Sequence, residues 1–393
     1  MKYLLSTLTA LLILITSAHA QGIVLDMQHM EQIKNSEDAV LRKSQEAVVR
    51  AADNIINEAP ATVTNKKLAP PSGDMHDYYS MARYWWPNPK TADHLPYVRR
   101  DGQVNPETTG LDRDALSLFG RQMQIFTLAY YYSGNERYAQ KAWECLRYWY
   151  LNKKTHMNPN MNYSQVVLGR DDNKGRKEGL LDTYTMLPIN DYLNILSKAK
   201  CAKPQEVEQI RTWFADFLKW MLESEQGQGE YNAKNNHGTA YHIQVAAYAA
   251  AVGDTALCRS YINEFTQRRI MTQFEPDGRQ PRELVRTTAF GYSCFNLGHV
   301  MDMLDIARLQ GLDLTTDSET RQRIIAAIDF LVQFLGRPVT SWPYQQIKDW
   351  EKQQQNLCWI LYRAHRYFPE KDYLALFYQH NTAKPSSRDY LIY

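Results

Sequence analysis

The sequence predicts an all-α protein, an (α/α) toroid with a long irregular aromatic loop at its amino-terminal end, and three observations carry that prediction. From about residue 112 onward, helix-length apolar periods follow one another with only short breaks, at a spacing near 3.6 residues. The apolar and polar alternation that marks strands is almost absent. The polar motifs fall just ahead of apolar helices, which gathers them at one end of a ring of helical hairpins. A solenoid of stacked hairpins is the other arrangement such pairs allow, but no strict sequence repeat supports it.

Taken in order, residues 1–20 combine Lys2, a leucine- and isoleucine-rich run and Ala18-His19-Ala20. That is the pattern of a secretory signal peptide cleaved before Gln21. The apolar run is short for a membrane span, so a secreted or periplasmic protein with no later membrane contact is expected. Residues 21–393 then form one domain. Residues 26–59 keep helical spacing through Leu41, Ala47, Val48, Ala51, Ile55 and Ile56 until Pro60, and predict one helix. Between 62 and 112 proline, glycine and asparagine recur and no apolar period survives, which predicts a loop. A loop of that length in a compact domain is functional or disordered, and its aromatic content opposes disorder. Helices are predicted at about 114–133, 136–151, 179–199, 204–223, 238–252, 254–269, 288–310, 318–335, 349–368 and 371–379. A second irregular insert, 156–177, carries Asn158, Asn160, Asn162 and the charged run Asp171 to Lys177. Its basic residues are candidates for a cleft, although any single surface charge is more simply a solvated one.

Composition narrows the function. A formal net charge of +2 provides no broad basic footprint for nucleic acid, so an acidic ligand needs a local cluster of donors. Five cysteines, odd in number and far apart, are unlike a disulfide framework and read as buried thiols. His237 and His242 are five residues apart and fall on different sides of a helix, and no Cys-x-x-Cys pattern is present. No metal and no cofactor are therefore expected.

Two stretches carry the candidate chemistry. Asn235, Asn236 and His237 precede the apolar run 243–251, while Arg286 and Tyr292 stand six residues apart, nearly two helical turns, and are expected to share a face. An amide pair, an imidazole, a guanidinium and a phenol suit removal of a proton beside a carboxylate. Singly each has a plainer role: an N-cap for either asparagine, a backbone-bonded helix-start imidazole for His237, a packing ring for Tyr292, and pairing with Glu283 for Arg286. Asp77, Asp101, Asp277 and Glu283 are the carboxylates a glycoside hydrolase would use, but Asp101-Gly102 and Asp277-Gly278 are also turn formers.

The order Asn235-Asn236-His237, then Asp277-Gly278-Arg279-Gln280-Pro281 through Glu283-Leu284 to Arg286, then Tyr292, resembles the alginate lyase superfamily, closest to polysaccharide lyase family 38 and more distantly to family 5. The stretches 77–89 and 95–102 are similar to that family's amino-terminal signature, so the resemblance spans nearly the whole mature chain. It implies an incomplete (α/α) barrel with a cleft across its top. It also implies β-elimination on an acidic polysaccharide, mannuronate-rich alginate first and glucuronan as the alternative; apart from the resemblance, a monomer is expected.

In the family's pattern Asn236, His237, Arg286 and Tyr292 are the working residues and Asn235 is a neighbour. Tyr78, Arg83, Tyr84, Trp85, Trp86, Arg99 and Arg100 would bind adjacent sugars, rings by stacking and guanidinium groups by pairing with carboxylates. The more distant relatives carry a histidine nearer the tyrosine, where this chain has Phe290-Gly291. Elimination needs the uronate carboxylate neutralised, a base at C5 and an acid at O4. Arg286 is expected to favour the Tyr292 phenolate and so lower its pKa.

Overall fold

The computed structural model describes residues 22–393, and the leader read from residues 1–20 lies outside the described residues. Two helices, α1 (Met27–Lys34) and α2 (Ala39–Ile55), stand where one was expected. The break is local chemistry: the Asp38 carboxylate accepts from the backbone of Val40 and Leu41 and so starts a new helix.

The helical layers follow as α3 (Asp112–Ser133), α4 (Glu136–Leu146), α5 (Ile189–Leu196), α6 (Pro204–Glu223), α7 (Glu225–Tyr231), α8 (Asn236–Ala251) and α9 (Thr255–Phe265). The chain continues through α10 (Pro281–Leu284), α11 (Ala289–Leu309), α12 (Ser318–Val332), α13 (Trp350–Ala364) and α14 (Tyr373–His380). Single π turns, Arg147–Leu151 and Thr266–Ile270, lengthen α4 and α9 to the ends their apolar periods predict. The helix expected over 179–199 is corrected: Lys177–Met186 winds as 3-10 turns, and only Ile189–Leu196, after Pro188, is α. Gly179 is pressed against Ser164, where a Cβ would lie 1.8 Å from Oγ. The short α7, started by the Ser224 cap, has no apolar period to announce it.

Helix α8 packs on α6, α9 and α11, and α11 packs in turn on α13. Most residues of α8 and of α11 are buried. A helix that is apolar all round belongs inside a helical layer, and these two form the inner wall of the toroid. Each fully buried Leu, Ile, Val or Phe of that wall contributes about 1.5–3 kcal/mol relative to exposure. The carboxy-terminal turn Arg388–Leu391 packs on α2.

The two irregular inserts meet each other. Strand β1 (Tyr79–Met81) pairs in parallel with β4 (Tyr163–Val166), joining Tyr79 to Tyr163, and β2 (Trp85–Trp86) pairs antiparallel with β3 (Val98–Arg99), joining Trp85 to Arg99. Segments of two to four residues are too short to show a period. Beneath them the Lys66 ammonium is buried 2.9 Å from Asp112 and donates also to the carbonyls of Val63 and Met75, which ties the loop to the start of α3. A satellite core of Tyr79, Met81, Ala82, Tyr97, Leu111, Val166 and Val167 holds the inserts in place. All five cysteines are free, four of them buried. Among the described residues, no helix is long and apolar enough to cross a membrane.

Candidate active site

Three structural features converge on one cavity of about 310 Å³: the start of α8, the bend between α10 and α11, and the β2–β3 hairpin facing the second insert. Seven basic side chains stand on its wall (Arg83, Arg99, Arg113, Arg176, Lys177, Lys234, Arg286), against two carboxylates, Glu178 and Glu230. Arg99 and Arg286 share Asp101, Arg113 pairs with Asp182 and Arg176 with Glu178, so the excess that favours an anionic ligand is smaller than the lining count but still positive. Among the described residues, no group of three or more His, Cys, Asp or Glu side chains is arranged to hold a metal ion.

Asn235 occupies the N-cap of α8, yet its side chain makes no cap hydrogen bond and lines the cavity instead. His237 lies in the first turn, and its Nδ1 meets Glu230 Oε1 at 2.6 Å. Glu230 is 1% exposed, so this contact holds the proton on Nδ1 and leaves Nε2 as the ring's free nitrogen. Burial disfavours charge on His237, but the Glu230 carboxylate outweighs it and raises the imidazole pKa above its ordinary value. Glu230→Gln removes that opposing charge. The His237 pKa is then expected to fall, and titration of its ring protons by NMR checks this; an unmoved pKa would show that Glu230 does not govern the ring.

Arg286 and Tyr292 meet by a route other than the expected shared helix face. Helix α10 ends at Leu284 and α11 begins at Ala289, so Arg286 lies in the bend between them. There its guanidinium stacks 3.8 Å from the centre of the Tyr292 ring and its Nη2 donates to the Tyr292 hydroxyl at 2.8 Å. Tyr292 in turn donates to the Tyr84 hydroxyl at 3.3 Å. Nor does Arg286 take the plainer role of pairing with Glu283: it is held by Asp101, from the turn that follows β3, at 2.8 and 3.2 Å. The expected lowering of the Tyr292 pKa does not occur. Burial pushes that hydroxyl well above its ordinary value, and Arg286 only partly offsets the effect.

Several residues read from the sequence reach the cavity wall, namely Asn235, His237, Arg286, Tyr292, Arg83, Tyr84, Trp85 and Arg99. Four positions, Asn236, Tyr78, Trp86 and Arg100, do not line the cavity as expected. Asn236 is fully buried, with its backbone N and its Nδ2 donating to the two Glu283 oxygens at 2.8 Å each. Tyr78 is fully buried and donates to Asp182 at 3.1 Å. Trp86 lies off the wall, its ring covered by Arg100 at 4.8 Å and its indole nitrogen bonded to the Gln103 carbonyl.

Arg113 and Gln165 were missed by sequence reasoning. Both line the cavity, and both are held by Asp182, at 3.4 and 3.0 Å. Gln165 has φ of 49°, a conformation uncommon for a residue with a side chain and often found at functional sites. No local signal separates these two from ordinary surface polar residues.

The family model for alginate lyases matches residues 62–341, which contain every element of this cavity. The chain belongs to the alginate lyase family. A crystal structure of an alginate lyase from Bacteroides ovatus is similar over 94% of this chain and 98% of that one, with 39% identity and a TM-score of 0.92. A histidine-to-alanine variant of alginate lyase A1-III, complexed with a tetrasaccharide, matches 96% of this chain and 95% of that one, at 15% identity and a TM-score of 0.62. The A1-III structure from Sphingomonas species A1 covers 89% of this chain and 97% of that one at 14% identity and a TM-score of 0.51. These last two share the fold. No curated protein sequence matches the chain. As an alginate lyase family member the protein is a polysaccharide lyase with an all-α toroid fold, and an acidic polysaccharide suits the cation-lined cavity.

Proposed function

We propose that the protein is an exported lyase that cleaves a polyuronate, mannuronate-rich alginate first, by syn β-elimination at Tyr292. The observation that carries this reading is the hydrogen-bonded run Arg286, Tyr292, Tyr84 on the same cavity wall as His237. Asn235, Arg286 and His237, the last as the imidazolium that Glu230 favours, would donate to the uronate carboxylate at C5 and stabilise the enolate-like intermediate. Tyr292, as phenolate, would take the C5 proton and return it to the leaving O4. In β-D-mannuronate and β-D-glucuronate those two positions lie on one side of the ring, so a single group serves both transfers. Because burial keeps the Tyr292 proton on, the phenolate fraction and hence the rate are expected to rise with pH into the alkaline range.

A glycoside hydrolase on this scaffold fits less well. Glu230 is engaged by His237 and Glu178 by Arg176 at 2.9 Å, and the four carboxylates read from the sequence are absent from the cavity wall. A non-catalytic carbohydrate-binding protein would not require Tyr292 to be held between a guanidinium and a second phenol. Glucuronan shares the same-side geometry and differs from polymannuronate at C2, so it is the alternative substrate.

Digestion of purified polymannuronate, polyguluronate and glucuronan tests the reading. The expected product absorbs through a double bond conjugated to the carboxylate, and it appears faster from polymannuronate or glucuronan than from polyguluronate. New reducing ends without absorbance would mean hydrolysis, and retention without product would mean binding alone. Faster release from polyguluronate would point to His237 as a separate base on the opposite ring face.

A further inference from the structure

The β2–β3 hairpin ends in Asp101-Gly102, a turn whose composition alone explains its presence. Its contacts go further. Asp101 Oδ1 accepts from Arg286 Nη2 at 2.8 Å, and Oδ2 accepts from Arg286 Nε at 3.2 Å and from Thr287 N and Oγ1 at 3.3 and 3.1 Å. Arg99, from the same hairpin, adds a 2.6 Å contact to Oδ1. Gly102 has φ of 75°, and a Cβ there would stand 2.5 Å from Thr287 Oγ1, so the turn lies directly on the bend between α10 and α11. The Lys348 ammonium closes the contact from the far side, donating to the Gly102 carbonyl at 2.6 Å.

A two-point carboxylate contact fixes the plane of a guanidinium, which a single acceptor does not. With Nε and Nη2 both tied to Asp101, the second contact of Nη2, to the Tyr292 hydroxyl at 2.8 Å, has a fixed direction. Burial favours the neutral acid at Asp101, but Arg286 and Arg99 outweigh it and hold the carboxyl well below the usual carboxylate range. It is therefore an anion at any working pH and unsuited to the acid role of a hydrolase.

We propose that Asp101 is a positioning residue of the elimination reaction, a carboxylate supplied by the aromatic hairpin that fixes Arg286 so that one of its N–H groups is aimed at the Tyr292 oxygen. The proposal rests on the reading of Tyr292 given above. Asp101 touches no reacting atom and acts through Arg286.

The test compares kcat, KM and the pH–rate profile of Asp101→Asn, Asp101→Glu and Tyr292→Phe on purified polymannuronate or glucuronan, with melting curves to establish folding. Asp101→Asn is expected to lower kcat about ten- to a hundredfold, by analogy with the range found when the partner that orients a metal ligand is removed, with little change in KM. The rising limb of the profile is expected to move to higher pH, because a guanidinium released from its position no longer favours the phenolate. Loss of the Asp101 charge with Arg286 still in place would move that limb to lower pH, and this outcome, or a parental kcat and limb, overturns the proposal. Asp101→Glu keeps the charge but displaces the carboxylate; it is expected to show the same fall and the same direction, and it decides the matter if the amide variant does not fold. In an Arg286→Ala background, Asp101→Asn is expected to have no further effect on kcat, whereas a full additional loss would mean that it acts by another route. Tyr292→Phe separates the two levels: an inactive Tyr292→Phe with indifferent Asp101 variants removes the positioning role alone, and an active one removes both readings.

Discussion

Tyr292→Phe is expected to fold as the parent does and to lose turnover by about 10²–10⁴-fold, the contribution of a positioned acid or base. The substitution removes one oxygen. Arg286 keeps both of its bonds to Asp101, and the stacking of its guanidinium on the ring at 3.8 Å depends on the ring and not on the hydroxyl. Stability is therefore expected to stay within about 1 kcal/mol of the parent, the worth of an ordinary lost hydrogen bond. The kinetic loss should fall on kcat and kcat/KM together, since the missing group acts on the transition state rather than in binding. Product absorbance, read beside a melting curve, checks both halves. A folded Tyr292→Phe protein with near-parental turnover would sink the assignment of the proton transfers to this residue.

Most of the helical frame is legible in the sequence because its cause is local. The run 204–223 begins at Pro204, in the first turn where a missing N–H costs nothing, and keeps an apolar stripe of Val207, Ile210, Phe214, Phe217 and Met221 to its end. The inner helices α8 and α11 are legible for another reason, since each is apolar almost throughout. Where local pattern and tertiary contact disagree, the sequence misleads. Lys177–Met186 has the composition of a helix, but it packs against the second insert, and Ser164 leaves no room beside Gly179.

The candidate site divides in the same way. Arg286, Tyr292, Asn235 and His237 each have a plainer role when taken singly, and they stand out only in combination, as a polar set in a recognisable order at the mouths of apolar helices. Their partners do not stand out. Glu230 lies seven residues before His237 in a short helix, Asp101 precedes Arg286 by 185 positions, and Asp182 holds Arg113 and Gln165 from a buried 3-10 turn. A carboxylate that orients a charged neighbour has no spacing rule: Glu230 and Asp182 are indistinguishable in sequence from surface acids, and Asp101 reads as a turn former or a hydrolase carboxylate. Burial is equally invisible: proximity to Arg286 predicts a lowered Tyr292 pKa, and desolvation reverses the sign.

Asn236→Ala is expected to destabilise the fold by about 2–3 kcal/mol at neutral pH, the scale of a buried hydrogen bond to a charged group. Asn236 is fully buried beneath the cavity wall, and its Nδ2 donates to Glu283 Oε2 at 2.8 Å while its backbone N–H serves Oε1. Glu283 is itself 1% exposed, so removing the amide leaves one oxygen of a buried carboxylate without a donor. Burial already raises the Glu283 pKa, and the two Asn236 bonds oppose that rise; losing one raises it further. A carboxyl with a raised folded pKa contributes stability that is complete below its unfolded pKa and is lost as pH rises through the folded value. The deficit of Asn236→Ala relative to the parent is therefore expected to grow with pH across the range in which Glu283 ionises, and to shrink in acid, where a protonated Glu283 no longer needs the donor. Denaturant melts at several pH values measure this directly. Turnover should fall as well, because Asn236 precedes His237 in the first turn of α8. If the variant keeps parental stability at every pH and loses only turnover, Asn236 reaches the substrate during catalysis and its bond to Glu283 is not what keeps it in place.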